Sequence, residues 1–183
     1  VFSLVALDEI WQRRMELDVV PRYYVLQYWV GATAPVLNEV ERGDLVIFRH
    51  PIVGHSYTIG VDTSRGGLKS DFAAIQVVDR NTMEQVARWR GRVEAFHVAD
   101  LVAGLGHYYC MAVVAPELSH EGYTVSTRLI TDYHYPAMYR GIIATRPEGS
   151  GVEGSFGYVP NEHNKRMIVD SLQLAIREKL LWI

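Results

Sequence analysis

The hydrophobic pattern is most ordered from Tyr57 onward. Tyr57-Thr58-Ile59-Gly60-Val61-Asp62 is a short apolar run that closes on an acid, and a glycine-rich turn, Thr63 to Gly67, follows it. Phe72 to Val78 reads as a buried strand, Asp79-Arg80-Asn81-Thr82 as a turn, and Gln85 to Val93 as a third, alternating strand. Three strands joined by tight turns predict an antiparallel meander. The period then changes. Phe96, Ala99, Leu101, Val102, Leu105 and Tyr108 predict a helix over Ala95 to Tyr109, and Met111 to Ala115 predicts another buried strand with Glu117 just beyond it. His120 to Tyr133 returns to helical spacing through Val125, Leu129 and Ile130.

The flanks are less regular. Leu4 to Leu17 has near-helical apolar spacing with Asp8-Glu9 suited to a first turn, and Pro21 ends it. Residues 22 to 50 hold two β-like pieces, Tyr23 to Val30 and Asp44 to Phe48, with turns at Gly31 and Glu41-Arg42-Gly43. Arg146 to Pro160, with glycines at 149, 151, 154 and 157, is expected to be a mobile loop or hairpin. Asn164 to Leu181 predicts an amphipathic helix with Met167, Ile168, Leu172, Ala175, Ile176 and Leu180 on its apolar face, and Leu181-Trp182-Ile183 begins a further strand.

The order β-β-β-α-β-α, with one more helix, combines a meander with a right-handed crossover. This is the ribonuclease H-like plan: an α/β fold whose mixed sheet joins a three-strand antiparallel meander to a parallel crossover strand, with flanking helices. On that plan the strands ending at Asp62 and Glu117 are parallel neighbours. Both acids then emerge at one carboxyl edge, where α/β proteins place ligands.

Composition narrows the setting. The chain has 183 residues, 49% hydrophobic and 21% charged, enough apolar material for one domain or one domain with an appendage. A net charge of −3 means that any contact with DNA has to come from a local basic patch. Cys110 is the single cysteine, which excludes an internal disulfide and fits a reducing, intracellular setting. The apolar runs are far shorter than a membrane span, and the apolar start, Val1 to Leu7, lacks the basic leader of a signal peptide. Without an initiator Met, the chain reads as a piece of a longer protein.

Asp62 and Glu117 are the central candidate pair. Adjacent carboxylates repel unless cations lie between them. Hard divalent ions, Mg²⁺ or Mn²⁺, take oxygen ligands, and two of them roughly 4 Å apart can serve phosphodiester hydrolysis. The competing account is that each acid only ends a strand at the surface. Asp71 lies just past the glycine-rich turn and either leans toward Asp62 or serves the turn; Asp170 reads as a solvated or capping residue. Arg88, Arg90 and Arg92 alternate, so all three share one strand face, roughly 6.6 Å apart. They read as a phosphate-contacting stripe or as a solvated, aggregation-blocking face. Lys165 and Arg166, at the start of the last helix, read as further phosphate contacts or as a plain solvated turn. Gly67-Leu68-Lys69-Ser70 is no P-loop, because its upstream glycine spacing is wrong. No Gly-x-Ser-x-Gly elbow occurs, and the seven histidines never take His-Glu-x-x-His spacing. His120, three residues past Glu117, reads as a helix-start residue.

Several of these segments together resemble the large terminase subunits of tailed phages. Tyr57 to Ser64, Gly67 and Asp71 to Asp79 look like that family's first nuclease hairpin. Trp89-Arg90-Gly91, Gly104 to Tyr109, Ala115-Pro116-Glu117-Leu118-Ser119-His120-Glu121-Gly122, Tyr135 to Arg140 and Asn164 to Ile168 are similar to its later landmarks, in order. Val1 to Leu7 is similar to the segment after the motor's ATPase domain. The resemblance covers most of the chain, from Tyr57 to Leu181 above all.

It implies an endonuclease, dependent on Mg²⁺ or Mn²⁺, that cuts double-stranded viral DNA when packaging starts and ends. Asp62 and Glu117 match its first two metal ligands and catalytic acids, and Asp71 an auxiliary acid. The family's third acid would lie beyond Ile183. The implied organisation is a segment 1–56 leading from an ATPase domain into a nuclease domain, 57–183. The implied partners are that ATPase domain, the portal and the small terminase subunit, in the cytoplasm of the bacterial host. Two rival expectations remain: a non-catalytic DNA-gripping or assembly module, and a resolvase-like nuclease.

Overall fold

The computed structural model describes residues 4–16, 20–66, 71–141 and 155–182. Its elements in chain order are α1 (Leu4–Glu16), β1 (Arg22–Gln27), β2 (Val36–Val40), β3 (Leu45–Ile47), β4 (Tyr57–Asp62), β5 (Ala73–Asp79), β6 (Glu84–Gly91), α2 (Ala95–Tyr108), β7 (Val113–Pro116), α3 (His120–Thr131), β8 (Arg140–Gly141), β9 (Ser155–Phe156) and α4 (Glu162–Arg177). Among the described residues the main sheet has the order β2-β1-β3-β6-β5-β4-β7. β4, β5 and β6 form the expected meander, and β7 returns through α2 to pair in parallel with β4.

Alternation along the strands sorts the sheet into two faces. Tyr57, Ile59 and Val61 of β4, Ala73, Ile75 and Val77 of β5, and Ala87 and Trp89 of β6 are buried. They meet Val98, Ala99, Val102 and Leu105 of α2 and Val125 and Leu129 of α3 in one core. Each fully buried Val, Leu or Ile of this set contributes about 1.5–3 kcal/mol. α2 runs close to β1, where a Cβ at Gly104 would come within 2.8 Å of Tyr28 and 2.9 Å of Leu26. The opposite face carries Gly60, Asp62, Gln76, Arg88 and Arg90, all exposed.

Two expectations are corrected by the fold. Residues 22–50 form three strands, not two, and they extend the meander's own sheet through the pairing of β3 with β6. β2 was unpredicted because Val36-Leu37-Asn38-Glu39-Val40 is an exposed edge strand without a deep apolar row. The apolar face expected on α4 is only partly used. Ile176 packs with Ile10, Leu172 and Trp182, whereas Met167, Ile168 and Leu180 stay about half exposed. The cause is position: α4 approaches the open, polar face of the sheet, which offers it little apolar surface.

The segment expected to be a loop or hairpin is described only from residue 155. There β9 pairs with β8, and Tyr158 bridges to Glu117. Trp182 makes a parallel bridge to Glu84, at the end of the sheet away from Asp62; Ile183 lies outside the described residues. Among the described residues no helix is long and apolar enough to cross a membrane.

Candidate metal centre

Asp62 is the last residue of β4 and Glu117 the first after β7. In the parallel ladder Gly60 stands beside Ala115 and Val61 beside Pro116, so the next pair in register is Asp62 beside Glu117. The Glu117 backbone N–H donates to the Val61 carbonyl at 2.9 Å and holds the two strand ends together. Neighbouring strands lie about 4.8 Å apart, so two carboxylates on one face of such a pair share a single site. α3 fixes Glu117 from its other side: a Cβ on Gly122 would fall on the Glu117 backbone carbonyl. Ser119, at the N-cap of α3, places its Oγ 3.2 Å from Thr63 Oγ1, tying the turn after β4 to the start of α3.

Burial and then the charge of Glu117 push the Asp62 carboxyl above the ordinary aspartate range. Lys165 and the Thr63 backbone N–H act in the opposite direction, and Asp71 adds a smaller upward push. This is the electrostatic cost of crowding anions. Lys165 Nζ lies 3.6 Å from Glu117 Oε1 and is the partial compensation the fold supplies.

The pair opens on a groove of about 610 Å³. Gly60, Ala74 and Ala115 make its floor, while Tyr139, Tyr158, Lys165, Ile168 and Val169 line its sides. Small residues at the three floor positions keep the space in front of the acids clear. The Tyr158 hydroxyl is buried and has no hydrogen-bond partner among the described residues. A second groove, about 410 Å³, lies between the turn after β4 and the start of α3; Asp62 lines both.

Each expected site residue can now be placed. Asp62 and Glu117 stand side by side. Asp71 is exposed, lines the second groove with Asp62 and acts on it through its charge. Among the described residues no group of three or more His, Cys, Asp or Glu side chains is arranged to hold a metal, so Asp71 does not complete a tight triad. Arg88, Arg90 and Arg92 are all exposed on the face that carries Asp62, with Arg88 opposite Gln76 and Arg90 opposite Ala74. Lys165 joins the acids, while Arg166 is exposed on α4. Tyr139, Tyr158 and Phe72 were missed. Strand alternation places Phe72 on the Asp62 face, whereas nothing local marks the two tyrosines.

The donor set is chemically suited to a hard divalent cation. Both side chains offer only oxygen, and burial and then the Glu117 charge raise the Asp62 carboxyl, a cost that a cation between them would relieve. Asp62 and Glu117 would hold such an ion, and it would supply Lewis-acid stabilisation of charge on oxygen.

No family model and no curated protein matches this chain. Solved structures do. The crystal structure of the large terminase nuclease from thermophilic phage G20c with bound magnesium aligns with a TM-score of 0.54 at 20% identity, covering 85% of this chain and 66% of that one. The same nuclease with bound cobalt aligns with a TM-score of 0.54 at 19% identity, over 85% and 66%. The large terminase nuclease domain of Thermus phage P74-26 gives a TM-score of 0.51 at 15% identity, over 76% and 61%. The chain thus spans just under two thirds of the length of these structures. At such identities the likeness establishes the fold, a mixed α/β sheet of the ribonuclease H type.

Proposed function

We propose that this chain is the nuclease part of a terminase large subunit and that it cuts double-stranded viral DNA with the help of Mg²⁺ or Mn²⁺. The observation that carries the reading is the adjacency of Asp62 and Glu117 at the ends of neighbouring parallel strands, with the Asp62 carboxyl raised by burial and then by its neighbour's charge. The solved structures of the same fold support it, because they are large terminase nucleases, two of them with bound magnesium or cobalt.

In this reading Asp62 and Glu117 bind the cations, and Asp71 contributes charge from the second groove. The floor of Gly60, Ala74 and Ala115 leaves room for a phosphodiester. Arg88, Arg90 and Arg92 would hold the backbone of the same strand, since phosphate contacts position nucleic acid without reading its sequence. Lys165 leaves Glu117 as the cation enters and, with Arg166, turns to phosphate. The ATPase domain, portal and small terminase subunit are partners in this proposal, and the host cytoplasm its location.

A second reading, a DNA-gripping module without catalysis, is favoured by one observation. Among the described residues no third acid joins the pair. Nicking of supercoiled plasmid DNA separates the two. A nuclease nicks in Mn²⁺, stops on chelation, and loses the activity with Asp62→Asn while its melting temperature holds. DNA binding without metal-dependent nicking leaves the gripping module.

A further inference from the structure

Phe72 lies on the open face one residue before β5, where continuation of the β5–β6 register sets it opposite Arg92. The Arg90 Cζ is 3.6 Å from the centroid of the Phe72 ring, and the Arg92 Cζ is 3.9 Å from it. A cation approaching in the ring plane cannot come that close, because the ring's own edge intervenes. Both guanidiniums therefore lie over the ring's faces. Two groups at those distances over one face would collide, so one stacks on each side. Their central carbons are then roughly 7 Å apart, with the negative faces of the ring between two like charges.

Stacking uses the flat face of a guanidinium and leaves its N–H edges able to donate. Separated by one ring, the two forks stand at about the spacing of successive phosphates along one strand. Ala74, opposite Arg90, is also opposite Asp62, so the forks share the face of the acid pair.

We propose that Phe72 is a positioning residue that splits Arg90 and Arg92 into a two-pronged clamp for adjacent phosphodiesters of one DNA strand. The proposal rests on the nucleic-acid reading above and adds its geometry: the ligand is a pair of neighbouring phosphates, and the ring sets the gauge.

The test is duplex DNA binding by the protein in Ca²⁺, titrated at several salt concentrations, for the wild type, Phe72→Leu and Phe72→Tyr. Leucine keeps the bulk and removes the ring. It should weaken binding about tenfold, the loss of two exposed cation–π contacts. The slope of log affinity against log salt should shrink by about 0.9 for each phosphate that the clamp no longer holds. Tyrosine should restore both. In the Arg90→Ala, Arg92→Ala background, Phe72→Leu should change nothing further, a readout that a merely structural ring would not give. Wild-type affinity and slope in Phe72→Leu overturn the clamp, as does a weakening that tyrosine does not repair. In either case wild-type binding and nicking persist, so the nuclease reading survives. Absence of salt-dependent binding by the wild type overturns both.

Discussion

Arg90 stands two strands from Asp62 in one cross-strand row: Ala74 is opposite Asp62 on one side and opposite Arg90 on the other. Two strand spacings separate them by roughly 10 Å, on one face of one sheet. Glu117 continues the row beyond Asp62. A cation-binding end and a phosphate-binding end are thus fixed by backbone hydrogen bonds and not by loops, which keeps their separation constant.

The anionic end of that row should announce itself in stability. In metal-free protein at neutral pH, Asp62→Asn removes one of two repelling charges and should raise the melting temperature slightly, by about 1–2 °C for a solvent-screened interaction. Mn²⁺ should then raise the melting temperature of the wild type with the logarithm of its concentration and leave the variant unmoved. Differential scanning calorimetry with and without Mn²⁺ decides this. A variant that Mn²⁺ still stabilises as the wild type would place the ion elsewhere.

Lys165 competes for the same anions. Its ammonium lies 3.6 Å from Glu117, with the lysine side chain largely exposed, so the contact is worth little but must be given up when a divalent ion enters. Lys165→Ala should therefore bind Mn²⁺ about 2- to 5-fold more tightly. Isothermal titration measures this directly. Weaker binding in the variant would mean that Lys165 supports the ion instead of excluding it.

The acid pair and the arginine stripe were legible in the sequence because both depend on strand period and order alone. Asp62 ends an apolar run, and Arg88, Arg90 and Arg92 alternate with buried positions. Lys165 was legible as a cation but not as the acids' neighbour, since its place depends on how α4 crosses the sheet. The helical period of α4 correctly gave a helix. It misjudged which residues bury, because period reports a preferred face and not what is opposite it. β2 escaped notice for the converse reason: an exposed edge strand is held by backbone pairing with β1, which leaves almost no apolar pattern. Tyr158 reaches Glu117 by a bridge across about forty residues of chain, and no local pattern encodes such a contact.

At the far end of the sheet, Asp79 is a stabilising carboxylate. It is 1% exposed, accepts from His55 Nδ1 at 2.7 Å and receives the Asn81 backbone N–H at 2.8 Å. Burial pushes its carboxyl up, but the His55 hydrogen bond and the backbone donors outweigh burial and hold it below the ordinary range. The unfolded chain then binds more protons than the folded one as pH falls, so stability rises with pH there. The contribution should be complete above the ordinary aspartate value of about 3.9 and disappear as pH falls through the lower folded value. Asp79→Asn should cost about 1–3 kcal/mol at pH 7, the range for disrupting a buried hydrogen-bonded group. It should also flatten the acid limb of a stability–pH curve measured by urea unfolding. An acid limb as steep as the wild type's would assign the acid sensitivity to other carboxylates.

Gly122 gives the sharpest test of how α3 holds the metal centre. In an exposed helix interior, Gly→Ala ordinarily stabilises by up to about 1 kcal/mol. Here the added Cβ would meet the Glu117 backbone carbonyl, an atom that cannot rotate away as a side chain would. Either α3 or the end of β7 has to move, so the sign should reverse, with a loss of about 1–3 kcal/mol typical of overpacking. The displaced carbonyl belongs to a candidate metal ligand, so Mn²⁺ affinity should fall as well. Gly60→Ala is the control for stability: it lies on the same sheet end, its added Cβ meets nothing within 4 Å among the described residues, and the fold should tolerate it. Urea unfolding and Mn²⁺ titration of both variants give the comparison. A Gly122→Ala protein that is more stable than wild type, with unchanged Mn²⁺ binding, would show that α3 does not clamp the Glu117 end of β7.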